Sequence, residues 1–294
     1  MKSFDELLGR YADVTVRVGA DVQPGQYVII RSDIAAAPLV RELARSAYAA
    51  GARLVDVWWG DEQVTLRRFQ HAPRDSFEEF PTWRTRAEVE LLDAGAALIS
   101  VTANDPELLR GQPQELVMAT QRAGARHSAP VLERIARRAT NWVIVAAATE
   151  PWAAKVFPDA PQGEAAPRLW RAIFDACRLD DHDPVGRWRE HVARLGARAA
   201  YLNARRYGAL RYRGPGTDLT LGLAPGHIWY SAEMLSQAGT PFVANLPTEE
   251  VFTMPHRGRV DGTVSSSRPL SVGGSLIDQF SLTFKDGAVV DARA

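Results

Sequence analysis

The first half of the chain alternates short apolar segments with amphipathic ones, and this alternation restricts the fold more than any other feature. Residues 26–31 (QYVIIR) form an apolar, β-rich run, residues 38–50 have helical spacing, and residues 53–59 form a second apolar run. A strand, a helix and a strand in this order are typical of a βαβ unit. The alternation continues through residues 97–101 and 142–147. We therefore predict a three-layer α/β domain with a mostly parallel sheet covered by helices on both faces.

The pattern changes in the last third of the chain. Short β-rich runs, such as residues 209–213 and 217–223, are separated there by glycine-containing turns, and the last two runs flank an Asp-Gly turn at residues 286–287. An Asp-Gly pair between two such runs is typical of a β-hairpin. We predict two domains: an N-terminal α/β domain over residues 1–200 and a β-rich α+β domain over residues 201–294.

The charge balance and the single cysteine restrict the partners and the compartment. The chain has 35 basic and 35 acidic residues, so it lacks the positive excess that nucleic acid or an anionic membrane attracts. Its longest apolar run, residues 142–148, is far shorter than a membrane span. Cys177 is the only cysteine, which excludes an internal disulfide, and we interpret it as a buried structural thiol. We predict a cytoplasmic protein with no nucleic-acid or membrane partner.

Several familiar catalytic motifs are missing from the sequence. It contains no P-loop, HExxH, GxSxG or CxxC pattern, and its six histidines are scattered without a short-spaced ligand pair. Gly214-Pro215-Gly216 precedes a predicted strand, so we interpret it as a hairpin turn and not as a nucleotide loop. Ser265-Ser266-Ser267 has no evident base beside it, so we interpret it as a polar strand end.

Residues 241–270 (PFVANLPTEEVFTMPHRGRVDGTVSSSRPL) are the strongest candidate for a functional site. Glu249 and Glu250 follow a short apolar strand and precede a loop rich in proline, glycine and serine. Adjacent side chains of an extended segment point in opposite directions, so one of the two glutamates can face a given pocket. His256 and Asp261 add an imidazole and a carboxylate, which are ligands that Zn²⁺ prefers. From spacing alone, a solvated surface pair is the alternative interpretation.

The same stretch resembles a known family. The segments NLPTEEVFT, DGTV and RPL are similar to the signature region of the thermophilic-type metalloaminopeptidases, which include aminopeptidase T, aminopeptidase S and PepS. The likeness extends along the chain through YADVTVRVGADVQPGQYVII, PLVRELARSAYAAGARLVDVWW, PWAAKVFPD, DPVGRWREHVARL, GPGTDLTLGL and FSLTFKDGAVVDARA. Because several motifs occur in the same order, the chain is identified as a member of this family.

The resemblance implies an activity and a cofactor. Members of the family form homodimers and remove N-terminal amino acids from peptide substrates with two divalent metal ions, Zn²⁺ or Co²⁺, held in a C-terminal domain. Glu250 matches the first metal-ligating glutamate of the TEEV motif, while no role transfers to Glu249 or His256.

The resemblance also implies an incomplete site. The family's remaining ligands and its general base come from sequence that follows the last hairpin. We therefore expect a second domain that is truncated, no catalytic residue in this chain, and a chain that is inactive alone. The alternative is a non-catalytic module, derived from the family, that serves in dimerisation or ligand binding. A nucleotide-binding α/β protein is a more distant alternative, because no phosphate-loop motif is present.

Overall fold

The computed structural model describes residues 2–272 and 275–294, and the chain forms two compact units. Unit 1 consists of Met1–Val192 and Glu233–Thr248, and unit 2 consists of Ala193–Ala232 and Glu249–Ala294. The chain first passes from unit 1 to unit 2 within a single helix, Pro184–Arg205. The same helix contains residue 200, where the sequence predicts the domain boundary. Residues 233–248 then return to unit 1, so each unit is built from two segments of the chain.

The described part of the chain contains eight α-helices and thirteen strands. The α-helices are α1 (Phe4–Val14), α2 (Ala37–Ala49), α3 (Glu62–His71), α4 (Thr82–Asp93), α5 (Gln114–Ala136), α6 (Glu150–Val156), α7 (Ala165–Ala176) and α8 (Pro184–Arg205). The strands are β1 (Tyr27–Asp33), β2 (Leu54–Gly60), β3 (Ala97–Thr102), β4 (Trp142–Ala146), β5 (Ala209–Gly214), β6 (Thr217–Leu223), β7 (Glu233–Leu235), β8 (Pro241–Val243), β9 (Pro255–Ser265), β10 (Leu270–Val272), β11 (Ser275–Ile277), β12 (Ser281–Lys285) and β13 (Ala288–Arg293). None of these helices has both the length and the apolar character needed to cross a membrane.

Unit 1 contains a parallel four-stranded sheet in the order β2-β1-β3-β4. Ile29 of the central strand β1 packs with Leu92 of α4 and Val131 of α5, while its neighbours Val28 and Ile30 point to the opposite face and are fully buried. The β1-α2-β2 and β2-α4-β3 crossovers run in opposite directions along the sheet, so right-handed connections place α2 and α4 on opposite faces. The predicted α/β three-layer domain is confirmed.

Aspartate side chains cap the starts of two helices, α3 and α8. Asp183 Oδ1 accepts a hydrogen bond from the Gly186 N–H at 3.0 Å and so caps the start of α8. Asp61 Oδ1 accepts from the N–H groups of Gln63 and Val64, at 2.8 and 3.2 Å, and so begins α3. Helix α3 was not predicted, because Phe69 is its only buried residue and its sequence carries no clear apolar stripe.

Unit 2 contains an antiparallel five-stranded sheet in the order β13-β12-β9-β6-β5. Asp286 and Gly287 connect β12 to β13 with φ values of +49° and +79°, the two positive angles that a two-residue type I′ turn requires. Pro215 and Gly216 connect β5 to β6. Both predicted hairpins and the β-rich second domain are therefore confirmed.

Gly262, in the middle of β9, has a conformation and surroundings that favour glycine alone. Its φ is +115°, and a Cβ atom there would collide with the backbone carbonyl of Asp218 on β6. We expect Gly262→Ala to lower the free energy of unfolding of unit 2 by about 3 kcal/mol, measured by chemical denaturation. Gly258→Ala is the control on the same strand, because the nearest atom to its Cβ would be a His256 ring carbon at 3.8 Å. Equal losses in the two variants would contradict this account of Gly262.

Cys177 is fully buried, as predicted. Burial raises the pKa of its thiol to about 12, and a hydrogen bond with Tyr11 offsets a smaller part of that rise. Since the thiolate is the reactive form, we expect a disulfide reagent at pH 8 to modify the folded chain at least ~1,000-fold more slowly than the chain in guanidinium chloride. Modification of the folded chain at the denatured rate would contradict this.

Candidate functional site

The first part of residues 241–270 extends the parallel sheet of unit 1. Strand β8 pairs with β7, and the chain then runs beside β4. The Ile144 N–H donates to the Ala244 carbonyl at 2.8 Å, and the Leu246 N–H donates to the Ile144 carbonyl at 3.1 Å. The apolar segment before the two glutamates is therefore held by backbone hydrogen bonds.

The residues on either side of the glutamate pair are anchored within their own units. In unit 1, the buried His191 ring donates from Nε2 to the Thr248 carbonyl at 2.9 Å. In unit 2, Phe252 and Tyr230 exchange two backbone hydrogen bonds, of 3.0 and 2.9 Å, and their rings stack with centroids 5.8 Å apart. The ends of the short segment that carries the glutamates are thus fixed.

Glu249 and Glu250 are both exposed and lie outside the strands, at the point where the chain enters unit 2. The next residue, Val251, packs against a buried cluster of unit 2 formed by Ala199, Leu223 and Trp229. The backbone beside Glu250 is therefore fixed by packing, while its carboxylate reaches solvent. Because the pair does not lie in a regular strand, its two side chains need not point in opposite directions.

His256 and Asp261 lie on β9, where both side chains make local hydrogen bonds. The Gly258 N–H donates to His256 Nδ1 at 3.2 Å. The Asp286 N–H donates to Asp261 Oδ1 at 2.9 Å, so this carboxylate supports the turn of the last hairpin. These contacts give both residues a structural part in the sheet of unit 2.

The serines at the end of β9 also make structural contacts. Ser265 Oγ donates to the Gly216 carbonyl at 2.9 Å, and the Phe280 N–H donates to Ser266 Oγ at 3.1 Å. The interpretation of this serine run as a polar strand end is confirmed for these two residues.

A dinuclear metal centre needs several ligands, and the described residues do not supply them together. Across residues 2–272 and 275–294, no three His, Cys, Asp or Glu side chains are grouped so that they could hold a metal ion. Glu250, His256 and Asp261 thus do not form the site that their spacing allowed. The part of the chain that the structure describes does not fit a two-metal centre by itself, and the ligand role of Glu250 stays a prediction.

Comparison with known sequences matches this chain to one family of peptidases and to several aminopeptidases. Residues 4–294 match the family described as thermophilic metalloprotease (M29). Aminopeptidase 2 of Geobacillus stearothermophilus is 42% identical over 294 residues, and the match covers 100% of this chain and 71% of that protein. Aminopeptidase T of Thermus thermophilus is 43% identical, with 100% of this chain and 72% of that protein covered. Aminopeptidase AmpS of Bacillus subtilis is 41% identical, with the same coverage of 100% and 72%.

A solved structure supports the same assignment. Wild-type AmpT from Thermus thermophilus superposes with a TM-score of 0.93 at 42% sequence identity, and the match covers 99% of this chain and 72% of that one. The chain thus spans somewhat less than three quarters of the length of these relatives. The fold, the family match and the identity along the whole chain agree with the resemblance stated from the motifs. We conclude that the chain belongs to the thermophilic metalloprotease (M29) family, a family of peptidases.

Proposed function

We propose that this protein acts as a metal-dependent aminopeptidase, which hydrolyses the first peptide bond of peptide substrates and releases their N-terminal amino acid. The observation that carries the proposal is the match of the whole chain to proteins named as aminopeptidases, at 41 to 43% identity. A TM-score of 0.93 to one such protein supports it, since the backbone that positions the family's motifs is retained.

The finer parts of the proposal rest on the resemblance in residues 241–270. We infer that the complete centre holds two divalent ions, Zn²⁺ or Co²⁺, and that Glu250 provides one carboxylate ligand. Its exposed side chain and packed backbone neighbours support this role, because a metal ion can approach the carboxylate without displacing buried contacts. We also infer a homodimer and a cytoplasmic location, the latter supported by the single buried cysteine.

The grouping of ligands bears on the activity of the 294-residue chain itself. Among the described residues, Glu250 is the one proposed ligand, and no three His, Cys, Asp or Glu side chains are grouped to hold a metal ion. We therefore expect this chain alone to be inactive. The same observation favours the second candidate, a family-derived module without catalysis that serves in dimerisation or ligand binding.

Hydrolysis of leucine p-nitroanilide by the purified chain tests the expectation, shared by both candidates, that the 294-residue chain is inactive alone. We expect no turnover after incubation with Zn²⁺ or Co²⁺ and, by metal analysis after desalting, less than one tightly held ion per chain. Turnover that appears with either ion and disappears with a chelator would exclude the non-catalytic module. It would also show that more ligands contribute than Glu250.

A further inference from the structure

Unit 1 contains a large cavity at the carboxyl end of its parallel sheet. The cavity has a volume of about 960 Å³ and is bordered by residues 31–33 of β1, 56–60 of β2 and 100–101 of β3. Strand β1 has β2 on one side and β3 on the other, so the crossovers reverse direction there. Open α/β sheets commonly bind ligands in the crevice at such a reversal. The position of the cavity therefore suggests a ligand site.

Aromatic rings form a large part of the cavity lining. Trp58, Trp59, Phe80 and Trp83 all border it, and Trp59 and Trp83 are 41% and 59% exposed. The Arg84 guanidinium already lies 5.4 Å from the centroid of the Trp83 ring. Faces of exposed indole rings attract cations and pack well against apolar groups. This lining favours a ligand with an apolar body and a positive charge.

The charged groups of the lining also favour a positively charged ligand. Five carboxylates and two guanidinium groups border the cavity, namely Asp33, Asp56, Asp61, Glu62, Glu88, Arg31 and Arg84. Arg31 is already paired with the mostly buried Glu88, at 2.8 Å, and donates to Ser100 Oγ at 2.9 Å. The remaining lining is predominantly acidic, so it repels phosphate and attracts cations.

Three of these carboxylates are held in place by backbone N–H groups. Asp61 begins α3, Asp33 Oδ2 accepts from the Glu62 N–H at 3.0 Å, and both Glu62 oxygens accept from the Asp105 N–H at 3.0 Å. Burial raises the pKa of the Glu62 carboxyl, the hydrogen bond from the Asp105 N–H offsets part of that rise, and the charges of Asp33, Asp105 and Asp61 add to it. The acidic groups are thus fixed close to one another, an arrangement that a bound cation would stabilise.

We propose that this cavity binds a small organic cation: a guanidinium or ammonium group carried on an apolar body. The indole rings of Trp59 and Trp83 pack against the body and the cation, and the carboxylates of Asp61 and Glu62 neutralise its charge. A nucleotide does not fit, because the lining is acidic and no glycine-rich phosphate loop follows β1. The proposal concerns unit 1 and does not depend on the proposed peptidase activity.

Calorimetry with two probes of the same shape tests the charge requirement. We expect N-acetyl-L-argininamide to bind the 294-residue chain at least ~10-fold more tightly than N-acetyl-L-citrullinamide, whose urea group is neutral. ADP, an anionic probe, is expected not to bind. The peptide acetyl-Gly-Arg-Gly-amide distinguishes a peptide-borne cation from a free amino-acid derivative, and binding of either cation supports the site. Equal binding of the charged and neutral probes, or binding of ADP alone, would overturn the proposal, as would no binding of any probe.

Two variants assign the binding to this cavity. Asp61→Asn keeps a good cap for α3 while it removes a charge, and we expect it to weaken argininamide binding about fivefold. Arg84→Ala removes a competing cation from the Trp83 ring and should tighten binding. Asp159→Asn, at an exposed carboxylate outside the lining, is the matched control and should leave the affinity unchanged. Unchanged affinity in Asp61→Asn, with circular dichroism showing a folded chain, would contradict the assignment, as would weaker binding in Arg84→Ala.

Discussion

Trp188→Ala is expected to lower the free energy of unfolding of unit 1 by about 4 kcal/mol. Trp188 is fully buried on α8, and its indole N–H donates to the Cys177 carbonyl at 2.7 Å. The Arg178 guanidinium lies 5.0 Å from its ring centroid, and the His191 ring packs edge-on at 5.4 Å. Alanine would leave a cavity beside these groups and an unpaired buried carbonyl, and both effects destabilise the folded state.

Chemical denaturation of matched variants separates these contributions. Trp188→Phe keeps an aromatic ring but loses the hydrogen bond, so we expect a smaller loss of about 1–2 kcal/mol. Trp83→Ala makes the same chemical change at a ring that is 59% exposed, and its expected loss is below about 1 kcal/mol. Equal losses in Trp188→Ala and Trp83→Ala would contradict the assigned burial.

The regular elements with strong local patterns could be predicted from the sequence. Strand β1 was recognisable because Val28, Ile29 and Ile30 form an unbroken apolar run, which a sheet buried on both faces requires. The last hairpin was recognisable because Asp286 and Gly287 suit a type I′ turn. Helix α3 was missed because Phe69 is its single buried residue and its sequence carries no apolar stripe, although the Asp61 cap was a usable local signal. Strand β7 has three residues and is too short to carry an alternation signal.

For the candidate sites, too, the features set by neighbouring residues could be predicted, and the features set by tertiary contacts could not. Glu250 was found from a motif of adjacent residues, but its exposure and irregular backbone depend on how Thr248 and Phe252 are anchored. The cavity of unit 1 was missed, although Asp33 and Asp61 at the ends of successive parallel strands were a usable signal. The rings of Phe80 and Trp83 join it only through tertiary folding, which the spacing along the chain does not reveal.

Glu250→Gln is expected to have the largest effect on catalysis. The suitable context is a fusion of this chain to the part of Thermus thermophilus aminopeptidase T that the sequence match leaves uncovered. We expect the variant to reduce leucine p-nitroanilide turnover at least ~100-fold, because a neutral amide binds a divalent ion far more weakly than a carboxylate. Glu249→Gln is the matched control at the neighbouring exposed glutamate and should retain the rate within about twofold. Similar losses in both variants would contradict a specific role for Glu250.

The central claim is that Glu250 is a metal ligand of an aminopeptidase centre that the 294-residue chain alone does not complete. The most direct test measures chelator-sensitive hydrolysis of leucine p-nitroanilide by three proteins: the fusion, its Glu250→Gln variant and the 294-residue chain. We predict metal-dependent turnover by the fusion, at least ~100-fold less by the variant, and none by the 294-residue chain. Full activity and full metal content in the Glu250→Gln fusion would contradict the assignment of Glu250 as a metal ligand, and metal-dependent turnover by the 294-residue chain would contradict its predicted inactivity.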